Sequence, residues 1–356
     1  MNHIEDMRTA LEAAPFDALL LLSPVNRRYA TGFPASDGAV LLTRKSCRYY
    51  TDSRYIEAAQ AALAGVADPV LTGPGRRQTE LVIDVLKDEN IETVGVEEEY
   101  LSYADYCRLE AKLPAKMVPA QAFMSRLRAS KGPQERDALI AAQRLAETAY
   151  NEVLELLRPG LTEREVAAEL VYRMLRLGAE GVSFDPIVLA GPRGSLPHGV
   201  PSDNVLRTGD FVTMDFGCIL DGWCSDTTRT VALGHVTDEM RTVYETVLTA
   251  QKTGIAAARA GVSGRDVDGA ARAVIEKAGY GEYFGHSFGH GVGLEVHEAP
   301  YVSTMAETPL PLGSVISAEP GIYLPGRFGV RIEDVLWLTE NEAVDITCLN
   351  RELIIL

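Results

Sequence analysis

Between Gly285 and Glu298 the chain reads Gly-His-Ser-Phe-Gly-His-Gly-Val-Gly-Leu-Glu-Val-His-Glu. Three of its six histidines, His286, His290 and His297, fall inside that stretch. A fold that needed only packing has little use for imidazoles at this density among glycines. Histidine offers a nitrogen to a metal or a proton at neutral pH, and glycine lets the backbone approach a ligand closely. The spacing of Gly289, Gly291 and Gly293 has the outline of a dinucleotide loop. A phosphate cradle, however, needs a strand before it, a helix after it and an acid further on, and histidine does not belong in that turn. The stretch is read for metal or proton chemistry, and the carboxylates decide which.

The acids recur in a pattern. Arg158-Pro-Gly-Leu-Thr-Glu-Arg-Glu-Val returns as Arg259-Ala-Gly-Val-Ser-Gly-Arg-Asp-Val, 101 residues on. Downstream, Thr208-Gly-Asp-Phe-Val-Thr-Met-Asp-Phe-Gly matches Leu312-Gly-Ser-Val-Ile-Ser-Ala-Glu-Pro-Gly. This pairs Asp215 with Glu319, and second acids follow at Asp226 and Glu333. Such repetition predicts two related αβ halves about a pseudo-two-fold axis, with the four acids facing one another near it. Asp215 lies in a strongly β-forming run, and Leu220-Asp-Gly-Trp223 supplies a tight turn, so Asp215 and Asp226 fall on adjacent strands. An inward carboxylate is costly unless paired or metal-bound, and four together repel. Two divalent cations resolve that. His290 completes a five-residue set suited to Mn²⁺, Co²⁺, Fe²⁺ or Zn²⁺ in a two-metal site.

Taken singly, each residue has a plainer reading. Asp215 and Glu319 could be loop formers beside turn glycines, His198 a turn histidine, and His290 and His297 core residues. Arg331 could neutralise Glu333 or Asp334. His3 and His235 are read as surface residues, and Cys218 and Cys224 as packing residues of a hairpin. The joint spacing is what is specific.

The elements that must hold these residues fall into two domains of an α/β (α+β) chain. Residues 1–125 alternate strand and helix patterns: strands at Asp17 to Leu22, Gly38 to Thr43, Cys47 to Thr51 and Thr93 to Val96, and helices at Arg54 to Leu63 and Gln78 to Lys87. Ser102 is placed as the cap of a further helix. No chemistry is assigned to this part. Residues 126–133, polar, basic and ending in Gly-Pro, read as a linker. Residues 134–356 carry the repeats and the acids. Thr162 and Glu165 form a capping box at one helix start, and Ser263 caps the equivalent helix. A net charge of −16 over 356 residues repels phosphate backbones and excludes nucleic acid as a partner. No apolar run reaches the length of a membrane helix. Five scattered cysteines argue against a disulfide framework, and the expectation is a cytoplasmic protein.

His198-Gly, Asp215-Phe-Gly, Ser225-Asp226-Thr-Thr-Arg-Thr, Gly289-His290-Gly-Val-Gly-Leu-Glu-Val-His297-Glu, Glu319-Pro-Gly and Arg331-Ile-Glu333-Asp together resemble the proline peptidases, aminopeptidase P and prolidase, of the pita-bread metallopeptidases. Ser23-Pro-Val-Asn-Arg-Arg-Tyr-Ala-Thr-Gly-Phe33 and Tyr50-Thr-Asp-Ser-Arg54 are similar to the small N-terminal domain shared with creatinase. The resemblance implies a creatinase-like α/β domain before a pseudo-two-fold pita-bread catalytic domain. It implies that Asp215 binds one cation, His290 and Glu319 the other, and that Asp226 and Glu333 bridge them, Mn²⁺ being placed first among the metals. It makes Glu319 the general base, has His198 and His297 stabilise the oxyanion and leaving group, and puts His286 and Arg331 in the proline pocket. The expected substrates are short proline-containing peptides, and the expected assembly is a homodimer. Dipeptide-preferring members often carry an arginine shortly after His297-Glu; here the chain reads Ala299-Pro-Tyr301-Val302. That leans toward an Xaa-Pro aminopeptidase, with the Xaa-Pro dipeptidase as the close alternative. A metal-free creatinase-like hydrolase or a non-catalytic peptide-binding module is the reading from another class.

Overall fold

The computed structural model describes residues 1–356 and divides into two compact units, Met1–Leu127 and Arg128–Leu356. The first is built on a six-stranded mixed sheet in the order Asp68–Leu71, Cys47–Thr51, Ala39–Thr43, Ala18–Leu21, Thr93–Val96, Lys116–Pro119. Ala18–Leu21 is buried along its whole length, as an unbroken apolar run in a central strand requires. Ser102 caps the Tyr103–Glu110 helix by accepting from the Asp105 amide. The helix Pro24–Thr31 was not anticipated. Its polar sequence is anchored by Glu97, fully buried, which accepts from the Ser23 amide at 2.9 Å and Asn26 Nδ2 at 2.6 Å.

The stretch from Arg126 to Pro133 differs from the open linker its composition predicts. Helix Gln121–Ala129 occupies its first half, and Pro133 opens the helix Pro133–Leu154 at a first-turn position. Arg128 and Lys131 are both buried; their basicity marks internal ion pairs, not contact with water.

The second unit repeats itself. Helices Pro133–Leu154 and Glu163–Arg176 correspond to Asp238–Ala257 and Gly264–Lys277. The Gly160 amide donates to the Leu206 carbonyl and the Gly261 amide to the Leu310 carbonyl, both at 2.9 Å. Thr162 and Ser263 cap the following helices through the Glu165 and Asp266 amides. Strand Phe211–Phe216 pairs antiparallel with Thr227–Ala232, and Val315–Ala318 with Asp334–Leu338. Each half thus supplies a helix pair packed behind a hairpin. One core gathers Tyr244, Phe288 and Ile316; the other holds Tyr150 stacked on Phe216 at 5.2 Å.

The Asp-Gly turn forms as read, with Asp221 at φ 49° and Gly222 at φ 82°. This left-handed pair suits the primed hairpin turns. Cys218 and Cys224 flank it as free, buried thiols directed at the carbonyls of Ala142 and Leu294.

Candidate active site

The two hairpins deliver the acids from equivalent ends. Asp215 lies on Phe211–Phe216 opposite Thr228, and Asp226 immediately precedes Thr227–Ala232. Glu319 immediately follows Val315–Ala318, and Glu333 immediately precedes Asp334–Leu338. His290 is central in Gly289–Gly291, between Val315–Ala318 and Glu298–Val302 in the five-stranded sheet. These five line one cavity of about 520 Å³ together with His198, His286, His297 and Arg331. All nine residues singled out from the sequence are therefore brought together. His235 and His3 lie elsewhere, His235 exposed and His3 stacked on Tyr29 at 4.2 Å.

Within the cavity, ligand atoms of Asp226, His290 and Glu333 lie within 4.8 Å of one another. His290 Nε2 is 3.2 Å from Glu319 Oε1 and 3.6 Å from Asp226 Oδ2. Arg331 forms no ion pair with Glu333 or Asp334. It pairs with Asp215 Oδ2 at 2.7 Å and donates to the Tyr323 hydroxyl at 2.8 Å, to Thr228 Oγ1 at 3.0 Å and to the Pro197 carbonyl at 3.3 Å. Asp334 is instead paired with Arg229 at 2.6 Å. The Pro197 contact ties down the loop that carries His198. His286 donates from Nδ1 to the Ser287 carbonyl at 2.9 Å and meets the Tyr323 hydroxyl with Nε2 at 2.8 Å. Burial holds the His286 imidazole below its ordinary pKa, so Nε2 accepts the tyrosine proton while Tyr323 accepts from Arg331.

The charges do not balance. Burial, and then the charges of Asp215 and Glu319, push Asp226 well above the carboxylate range; burial and the neighbouring acids do the same to Glu333. Burial raises Glu319 too, but the hydrogen bond and charge of His290 more than offset it and leave it at about 2. Burial lowers His290, and its contacts with Glu319 and Asp226 reverse that, to about 9. Asp215 Oδ1 is buried without a hydrogen-bond partner. Converging carboxylates, one orphaned oxygen and an imidazole form a donor set that fits divalent cations.

Five contributors escaped sequence reading. Tyr323 and Thr228 hold Arg331 in place, and Phe184, Ile187 and Tyr301 wall the cavity. Thr228 alone carried a signal, as part of the Asp226-Thr-Thr-Arg run.

Residues 137–340 match Metallopeptidase family M24, and residues 3–130 match the Creatinase/Prolidase N-terminal domain. The chain belongs to Metallopeptidase family M24, a family of hydrolases whose chemistry implies divalent metal ions. Its fold is the pita-bread catalytic domain preceded by a creatinase-like domain. Among solved structures, an Xaa-Pro dipeptidase from Bacillus anthracis is 40% identical with a TM-score of 0.95, the match covering 99% of both chains. An X-Pro aminopeptidase from Thermotoga maritima is 36% identical with a TM-score of 0.91, covering 98% of this chain and all of that one. The Xaa-Pro dipeptidase of Pyrococcus furiosus is 36% identical over 99% of each sequence.

Proposed function

We propose that the enzyme hydrolyses the Xaa-Pro bond at the N-terminus of short peptides, as an Xaa-Pro aminopeptidase. The carrying observation is the convergence of Asp215, Asp226, His290, Glu319 and Glu333 in one cavity, where Asp215 Oδ1 lacks any partner. These five residues would hold two divalent cations, Mn²⁺ first among them. Polarisation of the scissile carbonyl and acidification of the attacking water are the chemistry that two bound cations supply.

The side chains do the rest. Glu319 accepts the proton released as water adds to the carbonyl carbon, and passes it to the proline nitrogen as the C–N bond breaks. A proline imide nitrogen has no hydrogen to offer the enzyme, so recognition falls to ring shape and to the carbonyl. His198 and His297 donate to the developing oxyanion and the leaving group. Arg331 and His286, locked through Tyr323, shape the wall against which the ring is held.

Aminopeptidase is chosen over dipeptidase on charge. Arg331 is the one Lys or Arg lining the cavity, and its guanidinium is committed to Asp215, Thr228, Tyr323 and Pro197. No free cation awaits a dipeptide's carboxylate, and Tyr301 stands on the wall beyond His297. The names of two relatives favour the dipeptidase as the second reading. The test is hydrolysis of Xaa-Pro-Yaa against Xaa-Pro after chelation, with Mn²⁺, Co²⁺ or Zn²⁺ added back singly. Tripeptide cleavage restored by metal is expected. Cleavage confined to dipeptides overturns the aminopeptidase choice, and no cleavage of either overturns the peptidase reading.

A further inference from the structure

The His297 ring makes no hydrogen bond within the chain; its contact is edge to face with His290, ring centres 4.2 Å apart. Its place must be set through its backbone, and the next residue is Glu298. We propose that Glu298, clamped between Arg128 and Lys131, is a positioning residue that fixes His297 in the cavity, which makes the basic segment before Pro133 part of the active-site machinery. The kinetic side of this rests on the peptidase reading above.

Glu298 is 7% exposed, and the cations that hold it are 7% (Arg128) and 4% (Lys131) exposed. Its Oε2 is paired with Arg128 and its Oε1 with Lys131 Nζ at 2.6 Å. Glu295 takes a second pair from Arg128 at 2.6 Å, so the cluster holds two cations and two carboxylates. The same Oε2 accepts from the Glu295 amide at 3.4 Å, while the Gly293 amide donates to the Glu295 carbonyl at 3.0 Å and the Cys224 amide to the Gly293 carbonyl at 2.8 Å. Across the hairpin Glu298 pairs with Gly291, beside the irregularity that follows His290. His290 and His297 therefore stand at the two ends of one loop, and the Glu298 carboxylate is its clasp. Gly293 belongs to the device, since a Cβ there would overlap that carboxylate. A buried ion cluster is weak evidence for stability, since apolar side chains of the same volume often serve as well. Its location one residue from an otherwise untethered imidazole is what a positioning role explains.

Two variants disturb the clasp from opposite sides. Glu298→Gln keeps the volume and removes the charge; Gly293→Ala displaces the carboxylate. Each is expected to lower kcat about 10- to 100-fold with KM within about threefold. The double variant should be no worse than the poorer single. Lys131→Met substitutes in the comparison should Glu298→Gln fail to fold. In metal-free, ¹⁵N-histidine-labelled protein the His297 imidazole signals, assigned with His297→Gln, should shift in both variants. Unmoved His297 signals overturn the proposal, and so does kcat within twofold of the parent, even where Tm falls. If the parent cleaves no Xaa-Pro peptide, the peptidase reading has failed, and the His297 signals alone still decide the positioning.

Discussion

The two acids most strongly perturbed, Asp226 and Glu333, face each other with too little positive charge between them. Replacing either by alanine is expected to abolish turnover, at least about 100-fold in kcat, with helical circular dichroism unchanged; near-parental activity would refute a bridging role. Stability without metal should run the other way. Both carboxyls have folded-state pKa values raised by burial and by neighbouring acids, so the folded chain holds protons the unfolded chain gives up. Their contribution declines as pH rises above the ordinary carboxyl range. His290, raised to about 9 by Glu319 and Asp226 against its burial, contributes stability that is full below about 6.5 and lost as pH passes 9. The Tm of chelated protein is thus expected to fall between pH 6 and 9. Glu333→Gln should raise it by a few degrees at pH 8 (about 2–4 °C per kcal/mol); a chelated variant that melts lower than its parent would count against the repulsion. These residues were legible because metal chemistry restricts residue type and the repeat duplicates it. Glu298 was not, since its cationic partners lie 170 and 167 positions away and their composition looks like a solvated linker.

At the level of elements, the repeat makes a comparison that one half alone would not allow. Thr162 and Ser263 do the same work at the start of equivalent helices, accepting from the amide three residues on. Thr162→Ala and Ser263→Ala are each expected to lower stability by about 1 kcal/mol and to leave kcat/KM within twofold, since neither cap touches the cavity; thermal melts and tripeptide kinetics check both. Unequal losses would locate extra support in one half. Elements with their own period or turn chemistry were readable: strands Cys47–Thr51 and Thr93–Val96 and the Asp221-Gly222 turn form as expected. Helix Pro24–Thr31 was not, because Val25, Asn26, Tyr29 and Thr31 are weak helix formers and it leans on Glu97, more than seventy positions away. Local pattern carries no trace of such an anchor.

For the molecule as a whole, the acid excess is concentrated in meaning though not in number. The net charge of −16 is mostly a surface property, while the few acids at the pseudo-axis dominate what a bound cation can change. A ligand that binds only the folded state stabilises it by mass action, about 4 kcal/mol at a thousandfold excess over Kd. That energy must appear where the ligands are. Adding Mn²⁺ to chelated protein is expected to slow amide exchange in Phe211–Phe216, Thr227–Ala232, Val315–Ala318 and Asp334–Leu338, the strands whose ends carry the acids. The six-stranded sheet of Met1–Leu127 contributes no residue to the cavity and should exchange at its metal-free rate. Hydrogen exchange followed by peptide mass spectrometry separates the two regions in one experiment. Protection spread equally over both sheets would mean that the cation acts through global stability alone; protection confined to the four strands ties it to the converging carboxylates.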